Sequence, residues 1–210
     1  MAKVFISAGH GGSDPGAVAN ALKEKDVNLV MALACREELK RHGVEVLMNR
    51  ATDVNTTSTE DTDTCNEYGP NLAVDIHNNA GGGDGAEVYY HFGGGTGKVL
   101  AENILSELVS IGQNSRGAKT KKNSAGRDYY YFIREIAAPS VVIECAFLDN
   151  KTDVQLIDTE AEQMAVGVAI AKGILKTLGI AWAKPVTEKV LTLELQKLQA
   201  EGYTGIQIRL

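Results

Sequence analysis

The sequence predicts an α/β fold, a mixed and mostly parallel central sheet flanked by helices. Two observations carry this reading. Short β-rich runs alternate with helix-periodic runs in the order β-α-β-β-α-β, the pattern of a sheet covered by helices. One run, Val141–Phe147 (VVIECAF), is almost continuously apolar, as expected of a strand covered on both faces.

Lys3–Ala8 (KVFISA) reads as a strand. Glu24–Arg41 reads as a helix, because Val27, Val30, Met31 and Ala34 share one face and Gly43 stands just past its end. Val44–Asn49 is a second strand. The Thr- and acid-rich stretch Ala51–Glu67 is expected to be a surface loop. Leu72–His77 is a third strand, the glycine-rich residues 81–85 a turn, and Ala86–Phe92 a fourth strand. Lys98–Ile111 is helical by the spacing of Val99, Ile104, Leu105 and Leu108. Val141–Phe147 is the buried fifth strand, and Asp153–Leu178 closes the domain as one or two helices. Residues 1–180 are therefore expected to form one domain, and 181–210 a linker with a short helical tail. Lys184–Pro185 marks the linker, and Glu188–Glu201 is amphipathic. So short a tail cannot bury a core of its own; it docks on the domain, joins copies, or opens a further module.

Composition narrows the class. Of 210 residues, 44% are hydrophobic and 23% charged, the mix of a soluble globular protein. With 21 basic and 27 acidic residues the net charge is −6, which argues against a protein that grips nucleic-acid phosphates. No membrane span is expected, since the most apolar stretch, Met164–Trp182, is interrupted by Lys172 and Lys176. The N-terminal apolar run is only Val4–Ala8, too short for a signal peptide, so synthesis in the cytoplasm is expected. Cys35, Cys65 and Cys145 form no CxxC pair, which points to buried or incidental thiols and away from a disulfide framework or a zinc ribbon.

In an open α/β sheet, ligands bind beyond the carboxyl ends of the strands. The first strand delivers Gly9-His10-Gly11-Gly12, and the third delivers His77-Asn78-Asn79-Ala80. The fifth carries Glu144, and the first helix opens with Lys23-Glu24-Lys25-Asp26. Two neutral imidazoles and one carboxylate form a zinc set with a position left for water, which the ion acidifies while it polarises a carbonyl. Glu24 suits ligation, because a helix start stabilises an anion. Glu144 suits proton transfer, because an apolar strand raises a carboxylate's pKa toward working pH. His42, at a helix end, and His91, in a strand pattern, read as ordinary polar residues.

Competing motifs fail. Gly93–Val99 invites a phosphate-loop reading, but Phe92 and Val99 stand where the motif needs Gly and Ser or Thr. Gly81–Ala86 has loose dinucleotide-loop spacing yet leads into a strand, and no GxSxG elbow occurs. Arg116–Arg127, with five basic residues and no acid, reads as a solvated loop.

Four segments, in order, resemble the zinc-dependent N-acetylmuramoyl-L-alanine amidases of phage endolysins and bacterial autolysins. ISAGHGGSDPGA resembles the opening strand with the first ligand, His10; LKEKDVNLVMA, the helix start with the ligand Glu24. VDIHNNA resembles the segment of the second histidine ligand, His77, and PSVVIECAFLDN that of the catalytic glutamate, Glu144. The likeness runs from Met1 to Gly179. The chain departs from the family pattern at Cys145 and Ala146, where glycine is usual, at Asp75, where serine is common, and at Asp63–Tyr68, where an arginine and an Ala-Asn pair are common.

The resemblance implies hydrolysis of the amide joining N-acetylmuramic acid to L-alanine in peptidoglycan, with one Zn2+ per chain on His10, Glu24 and His77, and Glu144 as the proton shuttle. It implies peptidoglycan as the partner. Synthesis without a signal peptide fits a phage lysin that reaches the cell wall after release, its tail being the start of a wall-binding module or an oligomerisation element. A zinc peptidase cutting within the stem peptide would use the same ligand set, and a non-catalytic wall-binding module is a further alternative. Substrate-contacting residues and oligomeric state are not legible in the sequence.

Overall fold

The computed structural model describes residues 1–185. Its elements are β1 (Lys3–Ala8), β2 (Val18–Ala19), β3 (Leu22–Lys23), α1 (Glu24–Arg41), β4 (Glu45–Met48), α2 (Ser58–Tyr68) and β5 (Leu72–Asn79), followed by β6 (Ala86–Tyr90), α3 (Thr96–Ser110), β7 (Ser115–Lys119), α4 (Tyr131–Glu135), β8 (Ser140–Phe147), α5 (Lys151–Val154) and α6 (Glu160–Thr177). The sheet has six strands in the order β4-β1-β5-β8-β6-β7. β4, β1, β5 and β8 run parallel, β6 is antiparallel to β8, and β7 is parallel to β6. This is the expected mixed, mostly parallel α/β sheet. The helix expected over Glu188–Glu201 lies outside the described residues.

Strand alternation sends each strand's side chains to two unequal layers. Val4 and Ile6 of β1, Val74 and Ile76 of β5, and Val141 and Ile143 of β8 face α1, α3 and α6. There Met31, Cys35 and Leu39 of α1, Ile104 of α3, and Ile170 and Ile174 of α6 complete the main core. The helices approach closely. A Cβ on Gly167 would strike the Met31 carbonyl of α1, and one on Gly173 would strike the Ile104 backbone of α3. The opposite face is thinner: Phe5, Ala73 and Val142 pack under Cys65 of α2 and Phe132 and Ile133 of α4. All three cysteines are buried and free. Among the described residues no helix is long and apolar enough to cross a membrane.

Two expectations are corrected. The stretch Ala51–Glu67 is not all loop, for its second half forms α2. Thr57 and Glu60 close a reciprocal capping box at its start, and Thr62 and Cys65, one turn apart, are its buried residues. Arg116–Arg127 is not all loop either, because Ser115–Lys119 pairs with β6 as the edge strand β7. The closing helical stretch takes the second of its two expected forms, two helices, with α5 ending at Val154 and α6 starting at Glu160 behind the capping box of Thr159 and Glu162.

Candidate metal centre

His10, Glu24 and His77 come from three separate segments. β1 ends at Ala8, and the chain then turns through Gly9 to His10, whose φ of 63° lies in the left-handed region that few non-glycine residues adopt. Arg50 braces this turn: its buried guanidinium donates to the carbonyls of Ala8 (2.9 Å), Gly9 (3.2 Å) and Lys25 (2.8 Å). The β2–β3 hairpin, with Asn20 and Ala21 both at positive φ, delivers Glu24 as the first residue of α1. Asn20 Nδ2 donates to the Leu148 carbonyl (2.7 Å), tying the hairpin to the end of β8. His77 sits near the carboxyl end of β5, beside a register shift between His77 and Asn79.

The three side chains converge. His10 Nε2 lies 3.2 Å from Glu24 Oε2, and His77 Nδ1 lies 3.0 Å from Glu24 Oε1. One donor atom from each of the three residues falls within 4.8 Å of the others. The carboxylate is further held by the backbone N–H groups of Ala17 (2.9 Å) and Asn78 (3.1 Å) and by Asn28 Nδ2 (3.3 Å). Burial opposes ionisation of Glu24, but hydrogen bonds from His10 and His77 outweigh it and hold the carboxyl well below its usual range. His10 is raised, chiefly by its bond to Glu24; His77 is raised well above its ordinary value because Asp75 and Glu24 outweigh its desolvation. Two imidazoles and an ionised carboxylate with donor atoms this close fit a divalent ion of the zinc type.

Glycines make the cradle possible. A Cβ on Gly9 would overlap the His77 imidazole, and one on Gly16 would press on Glu24 Oε2 and His10 Cδ2 at 2.6 and 2.7 Å. Gly9 is visible in the sequence beside His10, whereas Gly16, Arg50 and Asn28 are not marked there, because their roles depend on approach in space. Asp14 (Oδ2 2.8 Å from His10 Nδ1) and Asp75 (Oδ2 3.2 Å from His77 Nε2) were also not assigned. The S-D-P-G run beside His10 was the one available signal for Asp14.

Glu144 is the register partner of His77 on β8 and of Glu87 on β6, so its side chain rises from the same face as both. It is half-buried, and among the described residues it has no ion-pair partner. Burial raises its pKa to about 7, helped by the charges of Glu24, Asp75 and Glu87 against the opposing charge of His77. His42 and His91 lie elsewhere. His42 Nδ1 donates to the Glu38 carbonyl (2.9 Å), and His91 Nε2 faces Asp128 Oδ2 (3.1 Å).

A mostly parallel α/β domain with a His-Glu-His cluster at the carboxyl edge of its parallel strands defines a candidate metallohydrolase. The sequence profile described as N-acetylmuramoyl-L-alanine amidase matches residues 4–176. The chain belongs to this family and is a peptidoglycan amidase. The N-acetylmuramoyl-L-alanine amidase CwlM of Bacillus licheniformis is 34% identical over 185 residues, covering 86% of this chain and 70% of the relative. The endolysin of Bacillus phage SPP1 is 32% identical over 186 residues, covering 84% of this chain and 66% of its own. The solved structure of Cwp6 from Clostridium difficile matches with a TM-score of 0.83 and 37% identity, over 84% of this chain and 29% of that chain.

Proposed function

We propose that the chain cleaves the amide between N-acetylmuramic acid and L-alanine as a zinc enzyme, with His10, Glu24 and His77 as the ligands and Glu144 as the proton-transfer residue. The observation that supports this best is the convergent triad with an unpaired carboxylate on the neighbouring strand. A bound zinc ion would supply Lewis acidity, acidifying water and polarising the scissile carbonyl. Glu144 accepts the proton of the attacking water and hands it to the departing amine of L-alanine. Burial raises this carboxyl in the metal-free chain, and a cation in the neighbouring ligand set would draw it back toward the ionised form that accepts a proton. Glu87, its neighbour on β6, is excluded from the role because Arg116 (2.8 Å), Lys119 (2.6 Å) and Tyr89 Oη (2.9 Å) occupy its carboxylate.

The test is mass spectrometry of purified peptidoglycan digested with and without a chelator. Free peptides beginning in L-alanine and stem-free glycan, lost on chelation and restored by zinc, are the expected products. Glycan that keeps shortened stems would establish the peptidase reading instead. Glu144→Gln is expected to retain zinc and lose roughly 10²–10⁴-fold in turnover; full activity in that variant would reassign the proton shuttle.

We further propose a phage-lysin role, with action on the wall after release from the cytoplasm, supported by the likeness to the SPP1 endolysin. A lysin rapidly clears a suspension of isolated cell walls. Amide cleavage of soluble fragments without that clearing would argue for a remodelling amidase. Residues 1–180 are proposed as the catalytic domain and 181–210 as an accessory tail.

A further inference from the structure

One carboxylate at the centre has no role in the scheme above. Asp75 stands two residues before His77 on β5 and therefore on the same face of the sheet. Its Oδ2 lies 3.2 Å from His77 Nε2, while its Oδ1 is buried without a hydrogen-bond partner. Asp75 lines a cavity of about 170 Å³ with Ser7, Asp61, Thr62 and Tyr130, and among the described residues no basic side chain lines that space. Among the described residues the Asp75 carboxyl thus meets one polar side chain, the Nε2 edge of the His77 ring. The opposite edge, Nδ1, faces Glu24 Oε1 at 3.0 Å. An imidazole that ligates a metal through one nitrogen keeps its proton on the other, and a carboxylate at the second nitrogen fixes which is which.

We propose that Asp75 is a positioning residue that holds the proton of His77 on Nε2 and so commits Nδ1 to the metal; the inference rests on the ligand set proposed above. His10 is held in the reverse sense, with Nδ1 2.8 Å from Asp14 Oδ2 and Nε2 3.2 Å from Glu24 Oε2. The two histidines therefore ligate through different nitrogens. Their supports are unequal. The Asp14 side chain is 64% exposed and the Asp75 side chain 14%, so water screens the first contact far more than the second.

The experiment uses the full chain loaded with zinc. Affinity is measured by competition with a chromophoric chelator, and long-range ¹H–¹⁵N correlation spectra report which imidazole nitrogen carries the metal. Wild type is expected to show Nδ1 ligation at His77 and Nε2 ligation at His10. Asp75→Ala is expected to weaken zinc binding roughly 10–100-fold. Asp75→Asn, whose amide oxygen still accepts from Nε2–H, should restore most of that loss, and Asp14→Ala should cost less than Asp75→Ala. A folded Asp75→Ala protein that binds zinc as tightly as wild type overturns the proposal, as does a wild-type spectrum with the metal on His77 Nε2. That spectrum alone decides the matter if Asp75→Ala does not fold. A wild-type protein that takes up no zinc would instead remove the ligand set itself.

Discussion

Glu144 and Glu87 are cross-strand neighbours in opposite electrostatic surroundings. Burial opposes the charge of Glu87, but Lys119, Arg116 and Tyr89 outweigh it and hold the carboxyl below its usual range. Among the described residues Glu144 has no such partners, and burial holds it at about 7. The folded chain therefore keeps a proton that the unfolded chain has released between the ordinary carboxylate range and that value. Glu144 thereby makes native stability fall as pH rises through this window, and Glu144→Gln removes that contribution. In chelator-stripped protein the variant is expected to gain on the order of 3 kcal/mol over wild type on going from acid to mildly alkaline pH. Urea unfolding at the two pH values checks this, and parallel pH dependences would show that Glu144 is not desolvated. At Gly9 the limit is space. Gly9→Ala forces a methyl group into the His77 ring and should strip the protein of zinc while far-UV circular dichroism stays native; retained metal would show that the ring can move aside. His10, Glu24, His77 and Glu144 were legible as polar residues at strand ends and a helix start. Arg50, Gly16 and Asp75 were not, because each acts through a neighbour distant in sequence or through the absence of a side chain.

Elements that bury a full face announced themselves by period. β1, β5, β8, α1 and α3 fall within a few residues of expectation, since their apolar positions face the main core. α2 hid because only Thr62 and Cys65 of its residues are buried; its one signal was the Thr57-Ser-Thr-Glu60 capping box. β7 hid because its Ser-Arg-Gly-Ala-Lys composition reads as loop, although Arg116 and Lys119 are drawn to Glu87 on the next strand. The β2–β3 hairpin was too short for any period. Its turn places Ala21 at a φ of 63°, where an L side chain is strained and glycine is not. Ala21→Gly is expected to stabilise the protein by about 0.5–1 kcal/mol, less than the strain relieved because glycine also loosens the unfolded chain. A lower midpoint of thermal unfolding in this variant would mean that the turn is not strained.

For the molecule as a whole, the helical layer of α1, α3 and α6 supplies the mass of the core, and the opposite face carries only the thinner cover of α2 and α4. The end of the described chain is fastened to the thick side. Trp182 Nε1 donates to Glu38 Oε1, Lys172 Nζ stands 4.2 Å over the indole, and Ala183 N donates to His42 Nε2 (3.0 Å). A chain ended after Pro185 is therefore expected to unfold at the temperature of the full chain and to keep its activity on purified peptidoglycan. Loss of the fold on that truncation would place residues 186–210 inside the domain. The buried sulfurs carry a separate consequence. Desolvation pushes the Cys65 thiol up to about 12 and raises those of Cys35 and Cys145 as well, so little thiolate is available for disulfide exchange or peroxide attack at neutral pH. Native protein should be silent toward a disulfide reagent such as Ellman's and yield all 3 thiols only on unfolding; a thiol that reacts in the native state would contradict this. A fold stapled by neither disulfide nor reactive thiol is indifferent to redox potential, and holds equally on the reducing and the oxidising side of a membrane.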